Sequence, residues 1–257
     1  MRARAELVAD RGPAGELRLP VQRSQAPLVL RRTADAVYLV SGAAGPLGGD
    51  QLELHIEVRA GARLRLRTVA AAVALPGRSG EESRLAVTAT VGPGARLEYL
   101  PEPLVAADGA RHRTELAVEL AEGAALLLRD EVLLGRHGEQ GGRCLTRLRV
   151  NLAGRPLLRH ELDVDGADPA ARGPAVLAGH RAAGTLLSVE PEVADGAGGF
   201  DGTDGTHEVA GFYGAADPWV AVMPLAGPGV LVTALADDTR TLRQRLTRRA
   251  RPRQLTA

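Results

Sequence analysis

Apolar and polar residues alternate along much of this chain, and the alternation is cut at near-regular intervals by a Gly-Ala pair. Leu52, Leu54, Ile56 and Val58 fall on one side of an extended segment, with Glu53, His55 and Glu57 on the other. This is the period-2 signature of a half-buried strand. After Gly61-Ala62 the pattern resumes, with Leu64 and Leu66 set against Arg63, Arg65 and Arg67. Leu85, Val87 and Val91 then lead to Gly94-Ala95 and on to Leu97 and Tyr99, while Leu116, Val118 and Leu120 lead to Gly123-Ala124 and Leu126–Leu128. A repeat of roughly 30 residues is that of stacked β-layers, each burying its apolar face on the next. A β-sandwich, in which Gly-Ala merely suits tight turns, is the competing arrangement.

Further strands are expected at Leu145–Leu152 and Leu157–Val164. The longest uncharged run, Pro218 to Ala236, is interrupted by Pro224, Gly227, Pro228 and Gly229. It reads as two strands around a turn, not as a membrane span. Alternation fades over Ala167–Leu177, where Ala-rich sequence predicts a helix or two, and Gly196–Gly205 reads as a loop. Asp237-Asp238-Thr239 caps a predicted C-terminal helix with Leu242 and Leu246 on one face and Arg240, Arg243, Arg245, Arg248 and Arg249 on the others. The expected class is mainly β, a stack of β-hairpin layers with a few helices, and residues 1–257 read as a single domain.

Composition narrows the chemistry. The 32 basic and 31 acidic residues leave a formal charge of +1, which gives no field for nucleic acid or an anionic membrane. Every basic residue is Arg, so there is no P-loop lysine, no Schiff-base lysine and no lysine general base. Nucleotide hydrolysis would have to come from another chain. Cys144 is alone, which forbids an internal disulfide, and the charged Met1–Asp10 segment is no signal peptide. The chain is expected to be soluble and cytoplasmic.

The catalytic motifs fail in turn. Ser79 lacks the final glycine of a nucleophile elbow, and His160-Glu161 and His207-Glu208 lack the second histidine of a zinc-protease helix. Glu53, His55 and Glu57 on one strand face are a weak cation site, and so are Asp201, Asp204, His207 and Glu208 in the Gly-rich loop. An exposed strand face and an acidic loop account better for both. Cys144 begins an apolar stripe and reads as a small core residue. No catalytic, cofactor-binding or resident metal site is assigned.

Several segments, in order, resemble the urease accessory protein UreD family (UreH in some bacteria): Val37–Val40, Gly48–Asp50, Leu97–Pro101, Asp108–Arg111, Glu131–Arg136 and Gly138-Glu139, with Arg-Pro-Arg at 251–253. The chain reads Thr68-Val69-Ala70-Ala71-Ala72-Val73 where that family often has Thr-Gln-Ala-Ala-Thr-Lys. The resemblance implies a right-handed helical stack of β-layers with a pair of helices. It also implies a non-enzymatic scaffold that binds apo-urease and its partners UreF and the GTPase UreG. Nickel would be in transit from a partner to the urease active site, with no tightly bound cofactor. Candidate nickel-path or partner-contact residues are Asp50, Glu102, Asp108, Arg111, Glu131, Arg136 and Glu139. A metal-dependent hydrolase on an all-β scaffold is the alternative, and an RNA-binding patch at Arg240–Arg253 a further one.

Overall fold

A computed structural model describes residues 1–191 and 217–248. In chain order the elements are β1 (Arg2–Arg11), β2 (Leu17–Arg23), β3 (Leu28–Arg32), β4 (Val37–Ser41), β5 (Gln51–Val58), β6 (Arg63–Thr68), β7 (Ala72–Ala74), β8 (Ser83–Val91) and β9 (Arg96–Leu100). They continue with β10 (Leu104–Ala106), β11 (Arg111–Leu120), β12 (Ala125–Leu134), β13 (Arg143–Leu152), β14 (Arg155–Asp165), β15 (Ala182–Val189), β16 (Val220–Pro224), β17 (Val230–Ala236) and α1 (Thr239–Arg248).

The expected layers are present as the coils of a β-solenoid. The two strands flanking each Gly-Ala turn do not pair with each other; they lie in different sheets and hydrogen-bond to the coils above and below. The first sheet runs β14-β13-β11-β8-β5-β1-β2 and the second β16-β17-β15-β12-β9-β6-β4-β3. Parallel registers give the coil length directly: Leu52 lies beside Leu85, Leu85 beside Thr114, and Thr114 beside Thr146. A short third ladder joins β7, β10 and the C-terminal end of β12.

Stacking is what the alternation encodes. Leu54, Val87, Leu116 and Leu148 form one internal row, facing Leu64, Leu97 and Leu126 from the second sheet, and all are buried. With aromatics at 2% of the chain, the interior is filled by aliphatic rows. Gly61, Gly94 and Gly123 each take positive φ (67°, 63° and 72°), which glycine adopts without a Cβ penalty. The coils touch there, Gly61 N donating to Pro93 O at 3.0 Å.

The coil pattern ends at Ala153-Gly154, where the same turn position closes a true antiparallel hairpin between β13 and β14. Pro218–Ala236 forms a hairpin as well, β16 against β17.

The expectation of helices across Ala167–Leu177 is not met: the segment is a chain of consecutive turns. Gly166, Pro169, Gly173 and Pro174 explain this, since two prolines and two glycines leave no uninterrupted run to propagate a helix. Among the described residues α1 is the one α-helix. Asp238 caps it, its Oδ1 accepting from Thr241 N at 2.8 Å. Leu242 and Leu246 are fully buried against Leu186, Val232 and Ala234 on the outer face of the second sheet. The Gly196–Gly205 loop, with Asp201, Asp204, His207 and Glu208, and the end of the chain from residue 249 lie outside the described residues.

Candidate functional site

Polar residues interrupt the aliphatic filling at one end of the solenoid, in the phase that faces inward. Asp50, just before β5, and Ser83 and His112, on the next two strands of the sheet, stand at the same level, and each is buried. Ser83 Oγ lies 2.8 Å from His112 Nδ1, and His112 Nε2 lies 3.1 Å from Thr114 Oγ1. Thr114 stands beside Thr146, whose hydroxyl hydrogen-bonds the Asp130 carboxylate across the interior. Asp130 is opposite Thr185, and Thr185 lines a cavity of about 320 Å³ with His160, Leu162, Trp219 and Thr233. The groups form a file running from Asp50 to that cavity.

Electrostatics along the file follow from enclosure. Burial pushes the Asp130 carboxyl up to about 6 and drops His112 to about 4. The Cys144 thiol, fully buried beside His112 on β13, is pushed well above its usual range, first by burial and then by Asp130. It stays a neutral thiol, so the expectation of a core cysteine holds. Asp130 is enclosed between the sheets yet retains accessible surface, so a water-sized space adjoins it. The file therefore offers singly placed oxygen and imidazole groups. Among the described residues no three His, Cys, Asp or Glu side chains gather closely enough to hold a metal ion together.

A second polar group lies on the outside, where α1 meets β12. Glu131, its side chain fully buried, accepts from Arg243 Nη2 at 2.7 Å and lies 3.1 Å from Arg129 Nε. Arg243 Nη1 also donates to Glu102 at 3.0 Å, and Glu102 N donates to Thr68 Oγ1 at 2.8 Å. Two of the sequence candidates, Glu102 and Glu131, thus meet through Arg243.

Three more candidates meet at a corner between coils. The Asp108 carboxylate accepts from Gly141 N at 2.6 Å, and Asp108 N donates to Glu139 Oε2 at 3.3 Å. Glu139 pairs with the Arg136 guanidinium, whose hydrogen bonds, with those of backbone N–H groups, hold its carboxyl down to about 2. These contacts tie the 106–110 and 135–142 turns together. Arg111 has an exposed side chain, and its carbonyl accepts from Ser83 Oγ at 3.3 Å. Asp50 differs: it joins the file, and its carboxylate accepts from Leu47 N at 2.9 Å and pairs with the Met1 amine. Glu53, His55 and Glu57 lie on the outer strand face, where His55 pairs with Thr88 at 2.8 Å and Glu53 at 3.3 Å.

Sequence reasoning missed Ser83, His112, Thr114, Asp130, Thr146 and Thr185. Their signal is a polar residue in the apolar phase: His112 and Thr114 precede Leu116 and Val118 at two-residue steps, and Asp130 falls between Leu128 and Val132.

The family model described as the UreD urease accessory protein matches residues 1–256. Relatives called urease accessory protein UreD include one from Frankia alni, 46% identical over 98% of this chain and 93% of its own length. Another, from Parafrankia sp., is 44% identical over 96% of this chain and 86% of its own length. A third, urease accessory protein UreD 3 of Streptomyces griseus subsp. griseus, is 44% identical over 95% and 93%.

Proposed function

This chain belongs to the UreD urease accessory protein family, and we propose that it serves urease maturation as a non-enzymatic scaffold through whose interior nickel passes. It docks apo-urease and UreF, and UreG reaches it through UreF. The GTPase chemistry resides in that partner, in keeping with a chain that has no lysine. Delivery takes place in the cytoplasm; among the described residues no helix is long and apolar enough to cross a membrane.

The observation that carries the reading is the file from Asp50 through Ser83, His112, Thr114, Thr146 and Asp130 to the cavity at Thr185. Divalent nickel ranks high in affinity for nitrogen and sulfur donors, so a closed cluster would retain it. Hydroxyls, one imidazole and two carboxylates, met one after another, bind it weakly enough for onward movement. Burial keeps His112 neutral at pH 7, so its ring lone pair is available to a cation and adds no repelling charge. Asp130 is ionised above about pH 6 and supplies the attraction in a low-dielectric interior.

The accessory role is tested in a host deleted for this chain. Restoring the chain should restore nickel in urease and allow it to co-purify with apo-urease and UreF. Normal nickel content in the deleted host would end the reading, as would turnover of a small molecule by the purified chain.

A further inference from the structure

The outer face of the second sheet is covered by α1 chiefly over β12, β15 and β17, and Leu100 at the end of β9 packs against the same apolar cluster. Over β3, β4, β6 and the start of β9 it is bare among the described residues, and five arginines there face three carboxylates. Arg31, Arg63, Arg65, Arg67 and Arg96 project from it on adjacent strands. The acidic residues among them are Glu98, which lies 3.2 Å from Arg65 and 3.3 Å from Arg96, Glu190, 3.1 Å from Arg96, and Asp35 at the rim. Arg63 and Arg67 have no carboxylate partner among the described residues. Val29, Tyr38 and Val40 sit half-buried between the arginines, and Val69 at the edge is exposed.

A second observation lies at the border of this face. Arg129 has a side chain 93% buried and donates from Nη2 to Pro101 O at 2.9 Å. Its Nε is 3.1 Å from Glu131 but misaligned, so that N–H has no hydrogen-bond acceptor. Arg67 and Arg243 are both near enough to act on Arg129 electrostatically. Three guanidiniums therefore face two carboxylates, Glu102 and Glu131, and the cluster is one negative charge short.

We infer that the bare face of β3, β4, β6 and the start of β9, with Arg67 and Arg129 at its border, docks an acidic surface of a partner protein. Its cations are all guanidiniums, which bind carboxylates in a planar two-point fashion. Strands about 4.8 Å apart, with outward residues about 6.7 Å apart along each strand, match the 5–6 Å spacing of carboxylates at i and i+4 on a helix. Interleaved aliphatic groups suit such a helix, whereas a nucleic-acid strand asks for stacking aromatics, and Tyr38 is the one aromatic among these residues. The inference does not depend on nickel passing through the interior.

The test uses the full chain and a helical peptide of about 20 residues bearing Glu at i, i+4 positions with Leu between them. The peptide should bind, with affinity falling as salt rises. Arg63→Glu with Arg65→Glu should weaken it by about tenfold or more, and Arg149→Glu on the opposite sheet should leave it within about twofold. The doubly reversed chain should instead bind the Lys version of the peptide. Equal binding of a Gln version, failure of the Arg63/Arg65 change to weaken binding, or binding of a single-stranded RNA oligonucleotide but not the peptide would overturn the inference.

Discussion

Arg243 on the C-terminal helix reaches the buried carboxylate of Glu131 in the middle of β12, its Nη2 2.7 Å from Oε2 across 112 residues of sequence. The contact fastens the helix to the solenoid by charge as well as by Leu242 and Leu246. Glu131 has no accessible side-chain surface, and without Arg243 its remaining cation is Arg129, whose Nε lies 3.1 Å away but misaligned. Arg243→Ala should therefore cost about 1.5–3 kcal/mol, the range for a hydrogen bond to a charged group, because Arg129 still faces the carboxylate. Urea unfolding measures it. An effect below about 1 kcal/mol, the level of an exposed pair, would show that water replaces Arg243 without cost.

Asp130 and His112 give opposing dependences on pH. The Asp130 carboxyl, raised from 3.8 to about 6, favours folding fully below pH 4 and loses that contribution as pH rises to 6. His112, lowered from 6.5 to about 4, contributes above pH 6.5 and is lost as pH falls towards 4. Replacing Asp130 by Asn should thus stabilise the chain at pH 7 by up to about 3 kcal/mol, a gain that vanishes below about pH 4. Denaturant titrations of both proteins across this range check it; a gain that persisted unchanged at pH 4 would contradict it.

Gly142 shows how closely the coils approach. A Cβ there would sit 2.2 Å from Ala110 O and 2.6 Å from Ala107 O, both backbone atoms that cannot move aside. Gly142→Ala should destabilise the chain by several kcal/mol through forced backbone displacement. Gly138 has positive φ but open space around it, so Gly138→Ala should cost only about 1 kcal/mol. Thermal unfolding of the pair distinguishes contact from conformation.

The Asp108 carboxylate carries a tie between coils, to Gly141 N at 2.6 Å. Asp108→Asn retains an acceptor and should leave stability nearly unchanged, whereas Asp108→Ala leaves an N–H unpaired and should cost about 1–3 kcal/mol. Equal midpoints for the two variants would show that the carboxylate does not hold the corner.

Much of the fold could be read from the alternation of Leu52–Val58 and from Gly61, Gly94 and Gly123, because period-2 burial and turn chemistry are local. The pairing of strands with other coils instead of across the turn was not legible, since alternation says which face is buried and nothing about which strand is the neighbour. Ala167–Leu177 misled for the opposite reason: Ala content suggested a helix, and Pro169, Gly173 and Pro174 prevailed. Of the candidate site, Asp50 was found through its motif. Ser83, His112 and Asp130 are far apart in sequence and meet only after the coils stack. Glu131 was named as a candidate and Arg243 as a polar-face residue of the helix, but their pairing across 112 residues depends on where the helix docks, which the sequence pattern does not say.

If nickel travels along the file, the nickel content of urease matured by the Asp130→Asn chain reports it. That variant is expected to be at least as stable as the parent at pH 7 and to co-purify with apo-urease equally well. Urease matured with it should be depleted in nickel, with added nickel partly restoring loading. Full nickel content at ordinary nickel supply, with the same complex formed, would show that the metal takes another route.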